Sequence, residues 1–184
     1  MSIRPKSLLT ALALCLAATG LVTGAAQART TQAVDLPGLV AQAKERAAWE
    51  HPGADFFGAD AEFDSPIWEP RGVERWALNF FPAREEDDER RTGFSYVYTV
   101  DGEFIGEREW AWRFGIQVVE EFALDQFQAL DILRDAGYRG PFTQLYLAQP
   151  LVPRSQPTYY FCFSHEVAGV GAHSHQVFRD LLSC

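Results

Sequence analysis

The chain encodes an antiparallel α+β fold with its helices on one face of the sheet. Three observations predict this. Aromatic side chains make up 14% of the 184 residues, and aromatics favour strands. Segments of period-two alternation follow one another across short turns, and only antiparallel neighbours can be joined so closely. Two segments with helical spacing each precede a run of such strands, with starts about 85 residues apart. The order helix-then-strands therefore occurs twice. It predicts two tandem α-β-β-β(-β) units, residues 29–121 and 122–184, behind a leader of residues 1–28.

The leader has the three parts of a secretory signal peptide. Arg4 and Lys6 give a positive start, Leu8 to Val22 is apolar and uncharged, and Ala26-Gln27-Ala28 offers small residues before a cut at Arg29. The alternative is an N-terminal membrane anchor. The apolar run falls short of the roughly 20 residues a spanning helix needs, and Gly20 and Gly24 break it. Cys15 follows Leu14 in mid-run, where a lipoprotein signal would carry a small residue. The expected location is therefore the periplasm or the exterior, with no membrane span after cleavage. Formal charge is −9; without Arg4 and Lys6, 14 basic residues face 25 acidic ones, a net of −11. General nucleic-acid binding needs a basic face and is excluded as a function class.

A helix is expected at 38–50, capped by Asp35, with Pro37 suited to the first turn. Leu36, Val40, Ala43 and Ala47 share one face, and His51-Pro52-Gly53 stops the helix. Strands follow at 54–63 and at 74–81, where Trp76, Leu78 and Phe80 alternate. The charged run Arg84 to Arg91 reads as a solvated hairpin loop. Phe94, Tyr96 and Tyr98 mark a third strand, Asp101-Gly102 a tight turn, and 103–110 a returning strand. The stretch from Trp110 to Glu121 is a connector or a further strand.

A second helix is expected at 123–136, with Leu124, Phe127, Leu130, Leu133 and Ala136 on its stripe and Gly137 as its stop. Strands follow at 142–151 and 158–163, and the segment Val167 to Phe178 closes the second unit. Two cysteines lie beyond the leader. In an oxidising compartment a Cys162–Cys184 bridge would close a loop of about 22 residues and stabilise by roughly 3 kcal/mol. The alternative is a buried thiol plus a free terminal one.

The element order and one short motif resemble PepSY-type domains. In Val170-Gly171-Ala172-His173-Ser174-His175-Gln176-Val177 the alanine and the closing valine keep the places of that family's Val-Asp-Ala-x-Thr-Gly-x-Val, and Ser174 stands for the threonine. Gly171 replaces the aspartate and His175 the glycine. Val100-Asp101-Gly102-Glu103-Phe104 is an abbreviated version in the first unit. The tandem arrangement is also similar to beta-lactamase-inhibitor-like proteins, which grip an enzyme with an aromatic sheet. The resemblance implies an exported binding or inhibitory module without catalysis of its own, its partner an extracytoplasmic protein or peptide.

Chemistry-bearing patterns are few. No Ser-His-Asp set, phosphate loop or dinucleotide fingerprint occurs, so no enzymatic activity and no cofactor are expected. Two imidazoles two residues apart in an extended chain face one side, so His173 and His175, with His165 nearby, are the candidate metal ligands and carry the alternative of a metal-binding protein or metal-dependent enzyme. Trp110, Trp112 and Trp68 are the candidate binding surface, because tryptophan buries large area at low entropic cost.

Overall fold

A computed structural model describes residues 34–83, 92–110, 115–164 and 166–180, all within one compact unit, Thr31–Cys184. Helix α1 spans Leu36–Glu50. The Asp35 carboxylate accepts from the Gly38 amide at 2.7 Å, and Pro37 lacks the N–H that a first turn leaves unpaired. Leu36, Leu39, Val40, Ala43 and Ala47 form its buried stripe, and His51 caps its end.

Four antiparallel strands follow: β1 (Asp55–Glu62), β2 (Arg75–Phe81), β3 (Gly93–Thr99) and β4 (Phe104–Trp110). Gly102, at φ 84°, closes the turn between β3 and β4 where Asp101-Gly102 predicts one. After a two-residue strand β5 (Ile116–Gln117) come helix α2 (Gln126–Asp135) and strands β6 (Phe142–Pro150), β7 (Thr158–Phe163), β8 (Glu166–Gly171) and β9 (Val177–Asp180). They make one nine-stranded sheet in the order β4-β3-β2-β1-β6-β7-β8-β9, with β5 beside β6. The fold class is α+β with an antiparallel sheet, as the alternation predicts.

Helix α2 starts three residues later than its apolar spacing suggests. The reason is a capping box: the Asp125 carboxylate accepts from the Phe127 and Gln128 amides, and the Gln128 side chain accepts from the Asp125 amide. Leu124 is buried but precedes the helix, and Ala136 is an exposed C-cap rather than part of the stripe. The segment Val167 to Phe178 is two strands. The Gln156 side-chain oxygen accepts from the His173 and Ser174 amides, both at 2.9 Å, and holds the turn between them.

Both helices pack on one face of the sheet. Their buried stripes join Phe56, Trp76, Leu78, Phe80, Tyr96 and Tyr98 from the first strands and Leu145, Leu147, Tyr159, Phe161 and Val170 from the later ones. Helix α1 sits by β1 and β4, with the Lys44 ammonium 5.5 Å from the Phe56 ring and the Arg46 guanidinium 3.8 Å from the Phe104 ring. Buried Gln126 braces the helix starts: it accepts from the Leu36 amide at 2.8 Å and donates to the Val34 carbonyl at 3.0 Å. Strands β1 and β6 meet at the middle of the sheet, where a Cβ on Gly58 would lie 2.5 Å from the Leu147 carbonyl oxygen. Only glycine permits that approach. Among the described residues no helix is long and apolar enough to cross a membrane.

Candidate functional site

Side chains alternate along a strand, so every residue between two core positions points to the opposite face. That face carries a pocket of about 540 Å³ near its centre. Phe57 and Asp60 come to it from β1, Asn79 from β2, Trp110 from the end of β4, and Tyr146 and Tyr160 from β6 and β7. Ile116 and Val152 complete the rim.

The aromatic walls are held by cross-strand pairing. Tyr146 and Tyr160 are register partners, stacked with ring centroids 4.9 Å apart. Phe81 meets Phe57 edge-on at 5.1 Å and the Trp110 indole at 4.9 Å. Gly93 lies opposite Trp110; a Cβ there would be 2.6 Å from the indole, so the missing side chain is what lets the ring lie across β3. The Trp110 indole N–H is buried and has no hydrogen-bond partner among the described residues. An unpaired buried donor carries a desolvation cost.

A polar relay runs from buried Ser95 to the pocket-lining residues Asn79 and Asp60. The Ser95 hydroxyl donates to Asn79 at 2.6 Å, and the Asn79 amide donates to the Asp60 carboxylate at 2.8 Å. Asn79 is 3% exposed and Ser95 fully buried, while Asp60 is only partly covered. The relay uses one residue from each of β3, β2 and β1, and its effect is to fix one carboxylate oxygen in an otherwise aromatic surface.

Beside this pocket lies a smaller one of about 230 Å³. The two share Pro150, Val152 and Tyr160, and the second extends to Phe178 on edge strand β9. The rim loop is pinned by Gln117, whose side chain donates to the Pro150 carbonyl and to the Ser155 hydroxyl at 2.6 Å. Val152 and Phe178 remain 57% and 40% exposed. Away from the pocket, Glu62 pairs with Arg75 and Arg108 across β1 to β4, with buried Ala77 and Val97 between them in the register.

Of the tryptophans singled out in the sequence, Trp110 is half-buried and forms a pocket wall rather than a projecting patch. Trp68 is 61% exposed and is not part of the pocket lining; Arg134 donates to its carbonyl and lies 5.9 Å from its ring. Trp112 lies outside the described residues.

The histidine motif is a turn and not a strand, so period-two alternation does not apply to it. His173 and His175 are both exposed; a His173 ring nitrogen meets the Glu121 carbonyl at 2.7 Å, and His175 takes a left-handed φ of 57°. His165 lies outside the described residues. Among the described residues no group of three or more His, Cys, Asp or Glu side chains is placed to hold a metal ion. Cys162 is buried on β7, and Cys184 lies outside the described residues.

Sequence reasoning missed Phe57, Asp60, Asn79, Tyr146 and Tyr160 as a group. One signal was present: β1, β2 and β7 carry aromatic residues in both phases of the alternation, and a strand that is apolar on both faces has a second surface to cover. No protein-family model, curated protein or solved structure matches the chain.

Proposed function

We propose that this is an exported, non-catalytic protein that binds a peptide or an extended protein segment on the sheet face turned away from its helices. The observation that carries the reading is the pair of adjoining pockets that share Pro150, Val152 and Tyr160, the larger walled by Phe57, Trp110, Tyr146 and Tyr160 and the smaller reaching Phe178, with Val152 and Phe178 exposed at the rim. Monomeric proteins leave few such surfaces open, and tyrosine and tryptophan dominate the energetics of those that bind partners. The leader composition supports export. The PepSY-like and inhibitor-like resemblance supports a binding or inhibitory role, with the partner outside the cytoplasm.

The finer architecture belongs to the same reading. Helix α1 precedes β1–β4 and α2 precedes β6–β9, and the halves meet at antiparallel β1 and β6. That order supports two tandem α-β-β-β-β units joined edge to edge, with the larger pocket crossing their junction.

Selection from a displayed peptide library on the purified protein tests the function. Bound peptides are expected, with binding lost in Tyr160→Ala and Val152→Asp and kept in Trp68→Ala. Failure to retain any peptide, or binding that Tyr160→Ala leaves untouched, overturns the reading.

A further inference from the structure

We infer that the central pocket takes an uncharged aromatic side chain of the bound segment, as the anchor that seats it. The inference rests on the peptide-binding reading and names the class of side chain. The first ground is the origin of the cavity. Gly58 and Ala148 are register partners across the β1–β6 junction, and both line the pocket. Phe57, Trp110, Tyr146 and Tyr160 stand around this small pair. The missing bulk at one cross-strand position leaves a space of about 540 Å³, within the range of sites that hold a small organic group. The Leu147 carbonyl oxygen bars any side chain at Gly58, so the chain cannot fill the space from there.

The second ground is that the polar groups of the lining are engaged within the chain. Among the described residues Asp60 is the only charged side chain there. It accepts from Asn79, which accepts from Ser95, and it makes a further interaction of its own. Tyr146 and Tyr160 each have an interaction beyond their mutual stack. A charged ligand group would give up its hydration here without gaining a free partner. The third ground is what the walls do offer. The Trp110 N–H is buried, so that residue presents its ring rather than its donor. Aromatic walls add offset and edge-to-face attraction for a ring to the gain from burying apolar surface, and an aliphatic group collects only the second.

The test titrates the purified, isotope-labelled protein with blocked tripeptides, acetyl-Gly-Xaa-Gly-amide, followed by nuclear magnetic resonance. The central residue is phenylalanine, leucine, alanine, arginine or glutamate. The phenylalanine peptide is expected to bind at least about tenfold more tightly than the alanine peptide and a few-fold more tightly than the leucine peptide. It should shift the amides of Gly58 and Ala148, and its affinity should not fall as salt rises. The arginine and glutamate peptides should bind no better than alanine. Ala148→Leu sets bulk into the space and should remove the preference for phenylalanine, with an unchanged circular dichroism spectrum. If that variant does not fold, Ile116→Asp, which places a charge on the rim, should give the same loss. Equal affinity for phenylalanine and alanine, a preference for leucine or a charged residue, or phenylalanine binding that the folded variants leave untouched overturns the inference. Library-selected peptides that need Tyr160 yet carry no aromatic residue also overturn it and leave the peptide-binding reading standing. Binding of free toluene with no binding of any tripeptide would assign the pocket to a small molecule and overturn the inference.

Discussion

Gln126→Ala should be the most damaging single polar substitution in the helical layer. Gln126 is 2% exposed and serves two backbone groups from the other end of the chain. Its oxygen satisfies the Leu36 amide, one of the donors that the first turn of a helix leaves without an internal partner. Its nitrogen satisfies the Val34 carbonyl. Leu36 is fully buried, so water cannot replace the lost acceptor, and an orphaned buried amide costs about 1–3 kcal/mol. The Val34 carbonyl is partly accessible and adds about 0.5–1.5 kcal/mol. The expected loss is therefore about 1.5–4.5 kcal/mol, a fall in Tm on the order of 10 °C for a domain of this size. Urea unfolding followed by far-ultraviolet circular dichroism measures it, with the slope m unchanged. Gln126→Met separates the causes, since methionine fills the space and makes neither bond. It should remain destabilised by about 1.5–3 kcal/mol. A loss below about 0.5 kcal/mol in the alanine variant, or full recovery in the methionine variant, would refute the assignment.

Three further outcomes follow from the same contacts. The Tyr96 hydroxyl donates to Glu50 at 2.7 Å and holds that carboxyl below the usual glutamate range, aided by Arg46. A depressed pKa stabilises the fold above the unfolded-state value and loses that contribution as pH falls through the folded one; Tyr96→Phe should flatten the acid limb of Tm against pH, and an unchanged limb would count against the pairing. Gly58→Ala places a methyl 2.5 Å from the Leu147 carbonyl oxygen, so the β1–β6 junction must open, at a cost of about 1–3 kcal/mol or more by chemical denaturation. Wild-type stability in that variant would mean that the two strands can part without penalty. A Cys162–Cys184 bridge is within reach: the register Cys162–Val167–Asp180 puts the end of β9 two strands away, about 10 Å, and four residues can span about 13 Å. Unreduced peptide mapping should recover the two cysteines linked, and their recovery as separate alkylated peptides would exclude the bridge.

The local elements were legible because each is specified within a few residues. Asp35 and Pro37 mark a helix start, Trp76, Leu78 and Phe80 a strand face, and Asp101-Gly102 a turn, and each sits in the structure where those signals place it. The errors were local too. Apolar spacing extended α2 to Leu124 although the Asp125–Gln128 box starts it later, and alternation was carried through His173 and His175 although Gln156, 17 residues from His173, bends them into a turn. In the candidate site only Trp110 was singled out beforehand, and for exposure rather than as a wall. Asp60, Asn79 and Ser95 look like ordinary polar positions until β2 and β3 pair Asn79 with Ser95 and β1 brings Asp60, the register partner of Ala77, diagonally within reach of Asn79.

By itself, then, the sequence determined the type and order of the elements, the acidic charge and the aromatic supply, because periodicity, capping and composition act over short stretches of chain. Only the tertiary structure decided that β1 and β6 join the strands into one sheet, and which aromatic residues look away from the helices. Strand pairing is a competition among all available edges. It is resolved by long-range contacts such as Gly58 against Leu147, which no local pattern encodes.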